Sequence, residues 1–294
     1  MKISVLLNAH NHTELVADTI ESIKKYVTND ILMVVDGIAW EDWGLKVNLG
    51  VDKLQGFIHN YPKAPYRNLL HGLSEIIKKF PDSDWVCYSE YDVLFLNSLF
   101  KEELKNAENN NIWCLGNDLR NMNIQMPYLN KILNIEIKKY KYLLGCCVFL
   151  SKKFINKLLE SDFFNKILTA TNHFEKGYFP DYEEQNGYDF GEMLIPTMAD
   201  YFGGKVSGFA YWHQHLEQWQ GNWKKFAMRW KPEIRLDEIC QETSIIHPIK
   251  SKDLRKFLKS KRDKDVRIQI HSNNYKLRKP IKYFGIPKKH IRTI

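Results

Sequence analysis

The segment WVCYSEYDVLF, residues 85 to 95, sets two carboxylates, Glu90 and Asp92, one residue apart at the point where an apolar run ends. Trp85, Val86, Cys87 and Tyr88 read as a buried strand, and hydrophobic sequence resumes directly after Asp92. Leaving the strand, side-chain alternation points both acids the same way, with Tyr91 opposite. Two carboxylates held together repel unless a proton or a cation lies between them. A hard divalent ion, Mg²⁺ or Mn²⁺, takes oxygen ligands and bridges naturally to a diphosphate. A diphosphate neutralised in this way becomes a better leaving group. An acid-x-acid triplet is also common on solvated turns, so the weight falls on its position behind a buried strand.

Further polar residues stand at equivalent places. The run ISVLLNA (3–9) reads as a first buried strand, with Asn8 and His10 at its end, and ILMVVDG (31–37) as a second, bearing Asp36. In open parallel sheets, ligands bind outside the carboxyl ends of the strands. Asn8, His10, Asp36, Glu90 and Asp92 are thus predicted to gather at one edge. No G-x-G-x-x-G follows the first strand and no P-loop occurs anywhere, so the sequence supports neither of those two phosphate-binding devices.

The elements that must position these residues follow from periodicity. HTELVADTIESIKKYV has apolar residues at 15, 16, 20, 23, 26 and 27, which is helical spacing. Residues 65–80 place Leu69, Leu70, Leu73, Ile76, Ile77 and Phe80 on one helical face behind Pro65. NIWCLGN and LLGCCVFL read as two more strands, YDFGEMLIPTMADYFGG as a helix ending at a glycine pair with Pro196 early or at a bend, and KVSGFAYW as a late strand. Trp212, Trp219, Trp223 and Trp230 are spaced 7, 4 and 7, a helical stripe suited to core packing or to an aromatic platform for a sugar ring. Nearly all-apolar strands alternating with helices predict an α/β fold with a mostly parallel central sheet covered on both faces, of Rossmann-like type.

With 294 residues, 44% hydrophobic and 27% charged, the chain suits one α/β domain with an appendage. No run of 18 to 20 apolar residues occurs, and the N-terminus reads as a strand and not as a signal peptide. Five cysteines without metal-ligand spacing suggest reduced thiols and a cytoplasmic setting. Charge is uneven: residues 250–294 carry 16 Lys and Arg against 3 Asp, while the rest has a net charge of −5. Such a basic end is either solvated or meets an anionic surface.

In order and spacing, these segments resemble the GT-A fold of glycosyltransferases, closest to the family-2-like nucleotide-sugar transferases. ISVLLNAHNHTELVADTIESI resembles the opening strand and helix, and VVDG the acid-bearing strand end that contacts the nucleoside. YRNLLHGLSEIIKKFPDSDWVCYSEYD resembles the Arg-Asn-bearing helix that leads into the D-x-D strand. The motif here is E-x-D, a departure that favours Asp92 over Glu90 as metal ligand. The resemblance covers about residues 1–250 and implies a catalytic domain there, with 251–294 as a helical basic extension. It implies Asn8, His10, Asp36, Arg67 and Glu90 at the nucleotide-sugar and His247 of SIIHPIK as third metal ligand, with Lys250 near the diphosphate. His213 and His215 of YWHQH are the rivals of His247. An acid at the start of the later helix, Glu192 or else Asp189, is implied as base on the acceptor hydroxyl; Asp189-x-x-Glu192 is equally the pattern of a helix capping box.

These expectations describe a hexosyltransferase-type enzyme using Mn²⁺ or Mg²⁺, a nucleotide-sugar donor and a glycan or lipid-linked acceptor. The Lys-, Asn- and Ile-rich composition suits an AT-rich bacterial genome and hence surface-polysaccharide synthesis. The basic end would then rest against the anionic inner face of the membrane. Two alternatives stand beside this reading. A nucleotidyltransferase of related fold would share the metal chemistry, although NAHNHTE lacks the glycine-rich basic loop usual after the first strand. A nucleic-acid-binding protein would use the basic end, which has few interleaved aromatics and no recognisable module.

Overall fold

The computed structural model describes residues 1–9, 13–35, 48–56, 65–122, 127–172, 190–213, 218–221, 226–229 and 232–264. The elements of the first half are β1 (Ile3–Ala9), α1 (Thr13–Tyr26), β2 (Ile31–Val35), β3 (Asp52–Gln55), α2 (Pro65–Lys79), β4 (Trp85–Glu90), β5 (Leu94–Phe95) and α3 (Phe100–Asn109). Next come β6 (Ile112–Met122), α4 (Pro127–Leu133), β7 (Tyr140–Ser151), α5 (Lys152–Glu160), α6 (Asp162–Asn172) and α7 (Phe190–Tyr201). The last part holds β8 (Lys205–Gly208), β9 (Ala210–His213), β10 (Gln218–Gly221), β11 (Phe226–Met228), β12 (Ile245–His247) and α8 (Lys252–Asp263).

Seven strands form the central sheet in the order β3-β2-β1-β4-β7-β6-β8. Neighbours run parallel except at β7, which is antiparallel to both β4 and β6. Every residue of β1 and of β2 is buried, as a strand covered on both faces requires. On one face Leu70, Leu73 and Ile76 of α2 pack with Phe154 and Ile155 of α5 and with Met193 and Leu194 of α7. On the other, Val16, Ile20 and Ile23 of α1 pack with Phe100 and Leu104 of α3. The expected α/β architecture with a mostly parallel, helix-flanked sheet is therefore the observed one.

Two expectations fail. KVSGFAYW is two strands, β8 and β9, interrupted at Phe209, whose N–H instead donates to the Gly116 carbonyl (2.7 Å). The tryptophan spacing is not helical: Trp212 lies in β9 and Trp219 in β10, directly opposite each other in an antiparallel pair. A separation of seven fits two strands folded back across a turn as well as it fits two turns of helix. Trp223 and Trp230 lie outside the described residues.

A small second sheet, β11-β12-β5, connects the end of the chain to the acid-bearing turn. β5 begins two residues after Asp92, and β12 pairs with it antiparallel, Ile245 with Phe95 and Ile246 with Leu94. That register carries His247 up to the turn that follows β4. The Ile249 N–H then donates to the Asp92 carbonyl (3.1 Å).

The expected basic extension from residue 251 begins with α8, which packs on α1. The acids of α1 at positions 14, 18 and 21 meet the bases of α8 at 252, 255, 259 and 262. Lys252 reaches Glu14 (2.8 Å), Arg255 reaches Asp18 (2.9 Å), Lys259 reaches Glu21, and Arg262 reaches Asp18 and Glu21. The Lys252–Glu14 pair is exposed and screened by solvent, so it adds little to the packing of the helix. The buried Arg255 and Arg262 lock the helix, because stripping a partner from a buried charge costs about 3–5 kcal/mol. Part of the basic excess thus neutralises α1 in place of facing solvent.

Candidate metal centre

Glu90 closes β4, directly opposite Asn8 of β1 in the sheet register. Asp92 follows on the turn and is almost fully buried, whereas the Glu90 side chain is 28% exposed. His247 Nε2 lies 3.6 Å from Glu90 Oε2 and 3.3 Å from Asp92 Oδ1. One ligand atom from each of the three falls within 4.8 Å of the other two. Residues about 155 positions apart are thus joined by the β5–β12 pairing.

The tautomer follows from a second contact. His247 Nδ1 is 2.9 Å from the Arg229 carbonyl, which can only accept, so Nδ1 carries a proton and donates it. Nε2 of the neutral ring then presents its lone pair to the two acids. Two carboxylates and an imidazole lone pair pointing together require a positive charge among them. Asp92 Oδ1 makes the same point, being buried with no hydrogen bond among the described residues.

The titration behaviour agrees. Burial alone would raise the Asp92 pKa, but the His247 ring and the Lys250 ammonium outweigh it and hold the carboxyl at about 2. Burial opposes a charge on His247, yet the hydrogen-bond acceptors around it, Cys146, Asp92 and Glu90, raise its pKa well above the ordinary value. Burial pushes the Cys146 thiol up to about 12, so it is a neutral neighbour of the ring at physiological pH. Without an ion, a proton on His247 serves as the missing charge.

Two carboxylates and one imidazole suit a divalent cation of the Mg²⁺ or Mn²⁺ kind. Two atoms each about 2.1 Å from one ion can be at most about 4.2 Å apart, and both His247 distances lie inside that limit. The Arg229 carbonyl gives His247 the outer support that metal-ligating histidines characteristically have. Arg229 is itself anchored by two parallel bonds to Glu238, from Nη1 to Oε1 (2.6 Å) and from Nη2 to Oε2 (2.7 Å).

This support yields a pH prediction. Burial would raise the Glu238 pKa, but bonds from Arg229 and the Arg235 backbone N–H lower it below its ordinary 4.5. The stabilisation is therefore present above about pH 4.5 and is lost as pH falls through the lower folded value. Glu238→Gln should lower stability by about 1 kcal/mol at pH 7. The gap from the unaltered chain, followed by urea denaturation, should narrow as pH falls below 4.5 and close once it has passed the lowered folded value. A gap of equal size at pH 3 would contradict the assignment.

Lys250 sits on the strap after His247, its Nζ 3.2 Å from Asp92 Oδ2 and 5.8 Å from the Tyr91 ring centre. Its side chain is 46% exposed, so the ammonium spans a buried acid and solvent. Asn8 is buried, and its Oδ1 has no hydrogen-bond partner among the described residues. Asn8, Glu90, Asp92, His247 and Lys250 are all brought to one end of the sheet. Arg67 lies in the first turn of α2, but its side chain falls outside what the structure describes. His10, Asp36, Asp189 and His215 also lie outside the described residues, and His213 ends β9 with no described side chain.

Glu192 lies in the first turn of α7, where Oε1 accepts from the Gly145 N–H of β7 (2.7 Å). A Cβ at residue 145 would stand 2.9 Å from the Glu192 Cγ, so the bare glycine backbone is what admits the carboxylate. Gly145 is two residues before Cys147, the register partner of Ser89. Glu192 therefore approaches β7 at the same edge that carries Glu90. Beside it stands the buried Tyr142, whose pKa is raised by burial first and then by the charge of Glu192. Arg120 lies over the Tyr142 ring, 5.5 Å from its centre, and pairs with Asp118. Sequence reasoning missed Tyr142, Arg229 and Arg255; only the acidic stripe 14/18/21 and its basic counterpart 252/255/259/262 offered a readable signal.

No protein-family model matches the chain, and no curated protein matches it. Among solved structures it is similar to a glycosyltransferase involved in glycosylation of the major capsid of PBCV-1, at 12% identity and a TM-score of 0.44, over 88% of this chain and 100% of that one. It is similar to an active-site mutant of LgtC at 15% identity and a TM-score of 0.45, over 88% and 95%. It is also similar to 4-diphosphocytidyl-2C-methyl-D-erythritol synthase from Anaerococcus prevotii at 12% identity and a TM-score of 0.38, over 70% and 87%. At these identities and scores the likeness is one of chain path, and the functional reading stands on the side chains.

Proposed function

We propose that the chain is a divalent-metal-dependent glycosyltransferase that moves a sugar from a nucleotide-diphosphate donor to a hydroxyl of a glycan or lipid-linked glycan. The observation that carries this is the convergence of Glu90, Asp92 and His247 Nε2, the last fixed by the Arg229 carbonyl. It stands at the carboxyl ends of β1 and β4, where open parallel sheets receive ligands.

Asp92, Glu90 and His247 would hold Mn²⁺ or Mg²⁺. The ion, when bound, supplies the positive charge that makes the nucleoside diphosphate a better leaving group. Lys250 adds a second positive charge at the same place, because its exposed stem lets the ammonium turn from Asp92 to a phosphate oxygen. Asn8 offers an acceptor atom toward the nucleotide. Asp36, His10 and Arg67 are the further proposed contacts to the nucleotide-sugar. Glu192, one oxygen of which accepts from the Gly145 N–H, takes the proton of the attacking hydroxyl in a transfer with inversion. Asp189 is its proposed companion at the helix start.

Surface-polysaccharide synthesis is the proposed setting, with residues 1–250 as the catalytic part. Among the described residues no helix is long and apolar enough to cross a membrane. The basic residues beyond α8 are proposed to rest on anionic lipid at the inner membrane face.

A thermal-shift panel of nucleotide sugars and nucleoside triphosphates, each with and without Mn²⁺, tests the reading. Stabilisation by one nucleoside-diphosphate sugar only when Mn²⁺ is present is expected; at 100 times Kd it amounts to about 2.7 kcal/mol. Stabilisation by a triphosphate alone would favour nucleotidyl transfer. A panel with no metal-linked shift would remove the proposal.

A further inference from the structure

Arg255 stands on α8, outside the part of the chain that supplies the metal ligands, yet it is almost fully buried. Its guanidinium meets three separate segments. Nε donates to the Ile249 carbonyl (2.8 Å) and Nη2, over a longer contact, to the Tyr91 carbonyl (3.4 Å). Nη1 donates to the Leu15 carbonyl (3.1 Å), to Asp18 Oδ2 (2.9 Å) and to Thr19 Oγ1 (3.1 Å). The two carbonyls matter because of their neighbours. Tyr91 lies between Glu90 and Asp92, and Ile249 lies between the His247–Pro248 pair and Lys250. The same two segments are stitched directly by the Ile249 N–H on the Asp92 carbonyl, and the Thr19 hydroxyl donates to the Tyr91 carbonyl (2.6 Å).

We propose that Arg255 is a positioning residue for the metal centre, clamping the Glu90–Asp92 turn and the His247–Lys250 strap at a fixed separation through their backbone carbonyls. The proposal rests on reading Glu90, Asp92 and His247 as cation ligands. Ligand carboxylates on a turn and an imidazole on a separate strap have no shared backbone to fix their spacing. A planar, permanently charged fork that reaches both does so from behind, without touching the ion. Asp18 neutralises the fork, so its charge is not left bare beside the centre. The helix that begins the basic extension thereby becomes part of the centre's frame.

The test compares direct Mn²⁺ binding to the full chain, by titration calorimetry with the metal alone, for four proteins. In Arg255→Ala, Mn²⁺ affinity should fall at least about tenfold with circular dichroism retained, the scale at which loss of outer support weakens a metal site. Arg255→Lys keeps the charge opposite Asp18 but offers a point donor that cannot hold both carbonyls, so it should fall between. Lys259→Ala loosens the same helix at Glu21 and touches neither carbonyl. It should lower the melting temperature while leaving Mn²⁺ affinity within twofold. Folded Arg255→Ala that binds Mn²⁺ within twofold of the unaltered chain would overturn the proposal, as would equal loss in Lys259→Ala. If Arg255→Ala does not fold, Arg255→Lys is judged by the same criterion. Absence of Mn²⁺ binding by the unaltered chain would instead overturn the reading of the centre itself, and this clamp with it.

Discussion

Asp92→Asn is expected to abolish Mn²⁺-dependent stabilisation by a nucleotide sugar and to reduce transfer at least about 100-fold, more than loss of an outer support costs. Three features make Asp92 the most sensitive position. It is the most buried of the two acids, and one of its oxygens has no hydrogen bond among the described residues. Its carboxyl is held near a pKa of about 2, so it is ionised at every working pH. It also faces both His247 Nε2 and the Lys250 ammonium. The substitution has a second, separable consequence. A carboxyl whose pKa is lowered on folding contributes stability above its unfolded value, and loses it as pH falls through about 2. Neutralising it removes about 2 kcal/mol at pH 7, or several degrees of melting temperature. The readout is therefore the difference between melting temperatures with and without Mn²⁺, which should vanish, and not the baseline, which should merely drop. A metal-linked shift of undiminished size in Asp92→Asn would remove this residue from the centre.

Glu192→Gln should show the opposite division. Transfer should fall about 10²- to 10⁴-fold, the usual contribution of a positioned general base. Donor binding and its metal-linked shift should be unchanged, because Glu192 touches β7 at Gly145 and not the Glu90–Asp92–His247 cluster. The amide is close in size and can present its oxygen to the Gly145 N–H, so the fold should stand. Isothermal titration of the donor, alongside a turnover assay, separates the two effects. Equal losses in donor affinity and turnover would show that Glu192 serves binding. Unchanged turnover would leave Glu192 as a structural acceptor at the start of α7.

The parts of this molecule that were legible in the sequence are the local ones. The burial of β1, β2 and β4 on both faces leaves an apolar run that cannot be confused with an exposed strand, and the acids at the end of β4 interrupt it. Helical spacing in α1 and α2 is equally local. The direction of β7 was not legible, because an all-apolar strand reads the same whether it runs parallel or antiparallel. The tryptophan spacing misled for a related reason: a separation of seven satisfies a helix and also a hairpin whose two strands bring Trp212 and Trp219 into register. His247 emerged only through resemblance, since its place depends on two residue pairs between β5 and β12. The Arg229 and Arg255 contacts run through backbone carbonyls, which carry no sequence signature at all. Only the opposed charge stripes on α1 and α8 were visible, and a basic stripe near the end of a basic chain reads first as a solvated one.

The central claim is that Glu90, Asp92 and His247 hold one divalent cation that grips a nucleoside diphosphate. Anomalous X-ray diffraction from crystals of the full chain grown with Mn²⁺ and a nucleoside diphosphate measures this directly. The account predicts a single strong manganese peak within about 2.5 Å of an oxygen of Glu90, an oxygen of Asp92 and Nε2 of His247, with phosphate density on its open side. Diphosphate density elsewhere on the chain, with no manganese peak at these three residues, would contradict it.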